Sequence, residues 1–254
     1  MNITQIVFSP TGGTQKIADI ISCADKNSIT KIDISDPNFD CAEIEKNSIA
    51  VIAVPSFGGR VPHAAVERIR KIKGNAAKCI IICVYGNRAY DDTLLELSDT
   101  AEESGFIVIA AVAAVAEHSI VRRFACGRPD EKDKKQLEAF AQKIFDKINN
   151  GSMEFTSKIS IPGQRPYKEY GGVGFVPKAG KNCAGCGLCA PKCPVSAISK
   201  DSIKTADSAK CISCMRCVSL CPHSARQVNK VMLSAASLAL KKACSARKEN
   251  ELFM

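Results

Sequence analysis

Ile3-Thr4-Gln5-Ile6-Val7-Phe8-Ser9-Pro10-Thr11-Gly12-Gly13-Thr14 is the stretch that decides the fold. Its first six residues are mostly apolar and β-branched, as a buried strand requires. From Thr14 to Cys23 apolar residues recur at helical spacing. Between the two lies a turn of hydroxyls and glycines. A glycine turn leading into a helix can present backbone N–H groups to a phosphate. Ser9, Thr11 and Thr14 would add hydroxyls, and Gly12 and Gly13 the close approach. The bland alternative is an ordinary helix cap, which uses the same residue types.

The pattern repeats outward. Ile29–Ile34, Ile49–Val54, Cys79–Tyr85 and Phe106–Ala116 read as further strands, and Pro62–Ile72, Asp92–Ser104 and Pro129–Asn149 as helices. Strand alternating with helix implies a doubly wound, five-stranded parallel sheet over residues 1–150, with ligands bound at the carboxyl ends of its strands. The third strand runs into Pro55-Ser56-Phe57-Gly58-Gly59-Arg60, the fourth into Tyr85-Gly86-Asn87-Arg88-Ala89-Tyr90. One phosphate cradle, two glycine turns and the aromatics Phe57, Tyr85 and Tyr90 on one sheet edge suit a flat ring carrying a phosphate, which is FMN. Arg60 and Arg88 either support an anionic reduced ring or are solvated loop charges. His118, after the fifth strand, either reaches the cofactors or is a satisfied loop residue. No residue is assigned a catalytic role.

Cysteine is the compositional outlier. Of 14, eight fall between Cys183 and Cys221. Cys183, Cys186, Cys189, Cys193 and Pro194 recur as Cys211, Cys214, Cys217, Cys221 and Pro222, each displaced by 28. Each half is C-x2-C-x2-C-x3-C-P, the bacterial run for [4Fe–4S] clusters, in which the fourth cysteine serves the other cluster. The expected ligand sets are therefore Cys183, Cys186, Cys189 and Cys221 for one cluster, and Cys211, Cys214, Cys217 and Cys193 for the second. Structural zinc would explain neither the third cysteine of each run nor the Cys-Pro. The scattered cysteines read as small buried residues, with Cys79 and Cys83 on one face of one strand. Cys126, in a turn, is the alternative candidate for a reactive thiol.

Ser9-x-Thr11-Gly12-x-Thr14 resembles the FMN-phosphate signature of flavodoxins, and the resemblance implies that residues 55–60 and 85–92 flank the ring. The whole chain resembles the flavodoxin–ferredoxin fusion proteins of anaerobes. Tyr85–Asp92, Gly127–Asp133, Arg165–Tyr170 and Arg247–Glu251 all look typical of that group. The chain has no Trp, the residue many flavodoxins stack on the flavin, which leaves the stacking partner open. The expected organisation is a flavodoxin-like domain at 1–150 and a Gly/Pro-rich arm at 151–180. A small α+β two-cluster ferredoxin domain follows at 181–230, then a helix and basic tail at 231–254.

Hydrophobic content of 46 % with 24 % charged residues excludes a disordered chain or fibre. The longest apolar run, Phe106–Ala116, is far short of the ~20 residues that span a bilayer. The N-terminus has no basic n-region, so the expectation is a cytoplasmic protein without a membrane span. Most of the net charge of +9 lies in residues 181–254, which hold 12 Lys+Arg and 4 Asp+Glu. With no nucleic-acid-binding motif, that surface reads either as a solvated face or as a docking patch for an acidic redox partner protein. The expected function is electron transfer between two [4Fe–4S] clusters and FMN. The alternative is a ferredoxin-fed, flavin-dependent reductase of a quinone, nitro compound or disulfide. Direct NAD(P)H oxidation is disfavoured, because the chain has no dinucleotide fingerprint.

Overall fold

A computed structural model describes residues 2–23, 28–150, 159–172 and 174–254. The first eight positions of the arm, from Gly151 to 158, lie outside the described residues, as does Val173. The elements in order are β1 (Ile3–Val7), α1 (Gly13–Ser22), β2 (Ile29–Asp33), β3 (Ala42–Glu43), β4 (Ile49–Pro55), α2 (His63–Ile69), β5 (Ile72–Lys73), β6 (Lys78–Tyr85), α3 (Thr93–Glu103), β7 (Ile107–Val115) and α4 (Glu131–Asn149). Then come β8 (Lys178–Ala179), α5 (Arg216–Ser219), β9 (Arg226–Gln227), α6 (Lys230–Cys244) and β10 (Glu251–Phe253).

The main sheet runs β10-β7-β6-β4-β1-β2. Its five long strands are parallel, in the flavodoxin-like order with the first strand between the second and third. The strand order reverses beside β1 and β4, which opens a crevice at their carboxyl ends. Each strand feeds two layers, because successive side chains point to opposite faces. Ile80, Ile82 and Val84 of β6 join Ile17 and Ile21 of α1 and Leu137 and Ile144 of α4 on one face. Cys79, Ile81, Cys83 and Tyr85 join Ala65 and Ile69 of α2 and Leu94 and Leu97 of α3 on the other. Each isoleucine, leucine or valine among them contributes about 1.5–3 kcal/mol by leaving water. Cys79 and Cys83 are fully buried, and burial pushes both thiols well above the ordinary range.

The sheet has six strands rather than the expected five. Glu251–Phe253 pairs antiparallel with Ala111–Ala113, so the last residues of the chain complete the first domain. The two edges explain the choice. β2 carries Lys31 and Asp33, charges that guard an open edge, whereas β7 reads Ile-Val-Ile-Ala-Ala-Val-Ala-Ala-Val and needs a cover. Among the described residues no helix is long and apolar enough to cross a membrane.

Candidate functional site

The loops at the strand carboxyl ends enclose two adjoining cavities. The smaller, about 70 Å³, lies over the first turn of α1. Thr11, Gly13 and Thr14 meet Pro55, Ser56 and Phe57 there, together with Gly86 and His118. Gly12 adopts φ +89°, the left-handed conformation that turns the chain into α1. Helix N-termini leave their first N–H groups without intrahelical partners, which suits an anion. Ser9 has a part within the turn itself. Its Oγ accepts from the Gln15 amide at 2.9 Å, and its own N–H donates to Ser35 Oγ at 2.6 Å, so it fastens the turn.

The larger cavity, about 240 Å³, is walled by Phe57, Gly58, Gly59, Tyr85, Gly86 and Arg88 from the sheet loops. Gly58 and Gly59 have φ of +63° and +90°. At Gly58 a Cβ would overlap the Tyr170 ring, and at Gly86 it would sit 2.7 Å from the His118 side chain. Both glycines are therefore used for close approach. Tyr170 belongs to the Gly/Pro-rich arm, and Phe175 lines the same cavity, as do Ile212 and Ser213 from the second cysteine run and Ala236 and Leu240 from α6. That the arm's aromatics close this cavity is a long-range fact.

Two predicted residues are drawn elsewhere. Asn87 is buried and donates through Nδ2 to the carbonyls of Cys244 and Ala246 at 2.9 and 2.8 Å. Tyr90 meets Tyr85 edge-on at 5.2 Å between centroids and donates its hydroxyl to Glu251 at 2.7 Å. Both hold the C-terminal segment instead of lining either cavity.

His118 lines both cavities. Its Nδ1 accepts from the amides of Ile120 and Val121 at 3.2 and 3.1 Å, which leaves the neutral ring its proton on Nε2 as a donor. Burial, with a smaller push from Arg88, holds its pKa below the ordinary 6.5. The sign follows. Above 6.5 folded and unfolded rings are both neutral; below it the unfolded ring protonates first and the fold loses stability. Stability is therefore expected to fall faster below pH 6.5 in the wild type than in His118→Gln, measured by urea titration across pH 5–7. Parallel curves would mean that the buried imidazole is not responsible.

The cysteine segment has an internal symmetry. Gly185 and Gly187 adopt φ of +75° and +74°, and Ser213 and Met215, 28 positions on, repeat the conformation at +54° and +62°. At the run ends Cys193 and Cys221 each accept, through Sγ, the N–H four residues on, from Ala197 and Ala225, both at 3.3 Å. Burial pushes Cys214 up to about 12, and the nearby Cys193, Cys217 and Cys211 push the same way. Cys217 rises to about 11 through burial, against Arg226, with Cys211, Cys193 and Cys189 adding to it. So Cys193 of the first run stands beside Cys211, Cys214 and Cys217 of the second. At Cys221 burial is outweighed by backbone N–H groups of Ala225, Arg226 and His223, which bring the thiol below its ordinary value. Among the described residues no three His, Cys, Asp or Glu converge to hold a single metal ion. A cubane asks for something else, since each of its four thiolates takes its own iron around a body several ångströms wide.

Residues 182–226 match the 4Fe-4S dicluster domain. The chain joins a flavodoxin-like α/β domain to a C-terminal 4Fe-4S ferredoxin-like domain. Among solved structures it is similar to a flavodoxin of Streptococcus pneumonia TIGR4, at 19 % identity over 58 % of this chain and 99 % of that chain, TM-score 0.40. It is also similar to a flavodoxin from the domain Archaea, at 12 % identity over 59 % of this chain and 99 % of that chain, TM-score 0.40. A third is a Fusobacterium nucleatum flavodoxin mutant bound to flavin mononucleotide, at 16 % identity over 59 % of this chain and 95 % of that chain, TM-score 0.36. No curated protein matches it.

The ferredoxin domain is docked on the sheet domain. Arg68 of α2 donates to the Pro194 carbonyl, and Arg216 of α5 lies 3.4 Å from Asp33 of β2. Val195 and Ile212 pack against the sheet core. The arm is tied down in turn: Arg165 and Tyr167 both donate to Asp99, while the amides of Gln164 and Lys168 donate to Asp92 at 2.8 and 2.7 Å.

Proposed function

We propose that the chain is an electron-transfer protein whose sheet domain holds FMN and whose cysteine runs hold two [4Fe–4S] clusters. Bound there, the flavin would handle electrons in pairs and the clusters one at a time. The observation that carries this reading is the position of the second cysteine run. Cys214 lines the small cavity, and Ile212 and Ser213 line the large one. The set Cys193, Cys211, Cys214 and Cys217 therefore belongs to the cluster beside the flavin.

Thr11, Gly12, Gly13 and Thr14 would hold the phosphate with Ser56. Phe57, Gly58, Gly59, Tyr85, Gly86 and Arg88 would border the ring, with Tyr170 packed over Gly58 as its aromatic cover. His118 Nε2–H would supply a neutral donor beside it. The outer set, Cys183, Cys186, Cys189 and Cys221, is the more open one: Cys186 is exposed, and Leu188 beside it is 42 % exposed. An acidic redox protein would meet this end of a domain that carries most of the chain's net positive charge. The order that follows is partner, outer cluster, inner cluster, flavin, or the reverse.

The test is protein purified without oxygen, with about eight irons and one FMN expected per chain. Tyr170→Ala is expected to weaken FMN about tenfold, the loss of one aromatic stack of ~1.4 kcal/mol, with iron unchanged. Iron without flavin would reduce the chain to a ferredoxin with an adaptor domain. Unchanged FMN affinity in Tyr170→Ala would remove the arm from the site.

A further inference from the structure

A cavity of about 500 Å³ lies between α2, α3, the arm and the second cysteine run, roughly twice the size of the ring cavity. Phe57, Tyr170 and Ile212 line both, so these side chains are the partition between the two. Cys211 forms part of the wall. The proposed electron path therefore runs past this space, yet nothing in that path uses it.

The lining charges are matched pair by pair. Arg60 holds Glu96 through Nε and Nη2 at 2.8 and 2.7 Å. Arg70 holds Glu103 at 2.8 Å, and Asp99 accepts from Arg165 and Tyr167. Lys210 faces Asp207 at 3.9 Å. A charged ligand would have to compete with one of these pairs; a neutral ligand would not. The apolar lining joins three aromatic side chains, Phe57, Tyr167 and Tyr170, to Val61, Pro62 and Val66, with the Arg60 guanidinium 4.9 Å over the Tyr167 ring. Flat rings stack on such surfaces. Arg60 spends three N–H donors, two on Glu96 and one on the Lys168 carbonyl at 2.6 Å. A guanidinium has five, so two remain for an acceptor oxygen.

We propose that this cavity binds a neutral, flat aromatic carbonyl compound of the quinone class, its ring against the aromatic side chains and a carbonyl oxygen on Arg60. The ligand's use would rest on the flavin reading, since only the partition separates the two cavities. Its binding does not.

The probe is 2,3-dimethyl-1,4-naphthoquinone, whose substituted ring carbons resist addition of the exposed thiols. It is dialysed to equilibrium against the oxidised, cofactor-loaded chain, with iron and flavin counted in each preparation. The expected result is saturable binding of one probe per chain. Ala209→Trp and His63→Trp, substitutions at exposed positions on the lining, should each weaken it at least tenfold and leave iron and flavin unchanged. A ring-sulfonated analogue should also bind at least tenfold more weakly. Absent binding, equal binding by both filled variants, or equal binding of the sulfonate overturns the proposal. So does probe binding that FMN displaces, because it places the probe in the ring cavity. Binding that both tryptophans abolish in a preparation without flavin would sustain this site and sink the flavin reading instead.

Discussion

Cys214→Ser is expected to purify with about four irons per chain in place of about eight, and to lose rapid exchange between the remaining cluster and the flavin. Cys214 is buried beside Cys193, Cys211 and Cys217, and burial holds its thiol up at about 12. Without iron it is a protonated core residue, and only a metal makes it a thiolate. A serine hydroxyl is far harder to deprotonate, so the inner cluster goes. The outer set keeps its four thiolates but lies away from both cavities. Flavin reduction by a protein donor should then slow by a hundredfold or more in stopped flow. Cys186→Ser, at the exposed end, should also retain about four irons, but with the inner cluster in place. A small chemical reductant should still reduce its flavin quickly. Full iron in Cys214→Ser would remove that residue from the ligand set. Equal flavin kinetics in the two variants would overturn the order of the clusters.

What could be read in the chain was local. The five parallel strands announce themselves as short β-branched runs between helical patterns, and the loops at their carboxyl ends follow from topology alone. The cysteine repeat is legible because a cubane needs three thiolates within one tight loop, so the constraint is written in spacing. The left-handed conformations shared by Gly185 and Ser213, and by Gly187 and Met215, show that the spacing carries the backbone with it. Contacts closed over long sequence separations left no such trace. Nothing near Tyr170 says that its ring covers Gly58, and nothing near Asn87 says that its side chain is committed to carbonyls more than 150 residues away. Tyr90 was legible as an aromatic on the right edge, but its hydroxyl found Glu251. β10 is three residues long, too short for period-two alternation to register; only the bare alanine-rich edge of β7 calls for it.

Those long-range contacts have a centre, and Arg128→Met tests it. Arg128 and Asp133 form a bidentate pair with side chains 5 % and 0 % exposed. Asp133 is at once the third residue of α4, in a reciprocal cap with Asp130, and an acceptor for Arg247 and Asn250 of the tail. Asn250 accepts the Val115 amide at 2.8 Å, which sets β10 in register on β7. The segments Gly127–Asp133 and Arg247–Glu251, set apart in sequence without a role, are thus two halves of one latch. Removing the guanidinium leaves a buried carboxylate with only Arg247, Asn250 and the Asp130 amide to offset its desolvation, a loss of about 3 kcal/mol. In a chain of this size that lowers Tm by about 10 °C. Adding Asp133→Asn removes the stranded charge and should recover more than half of the loss. Both Asp130 and Asp133 are held below the ordinary 3.8, Asp130 chiefly by hydrogen bonds from Arg247 and Asp133, Asp133 by Arg128 against the opposing effect of burial. Their contribution is therefore complete above that value and fades as pH falls through the folded-state values, so the gap between wild type and Arg128→Met should narrow in acid. The functional consequence comes through α6, which ends at Cys244 just before the latch and lends Ala236 and Leu240 to the ring cavity. A loosened tail frees that helix, so Arg128→Met should exchange the β10 amides faster and release FMN more readily, although Arg128 lines neither cavity. A loss below ~1 kcal/mol, or unchanged exchange in β10, would reduce the pair to an ordinary helix cap.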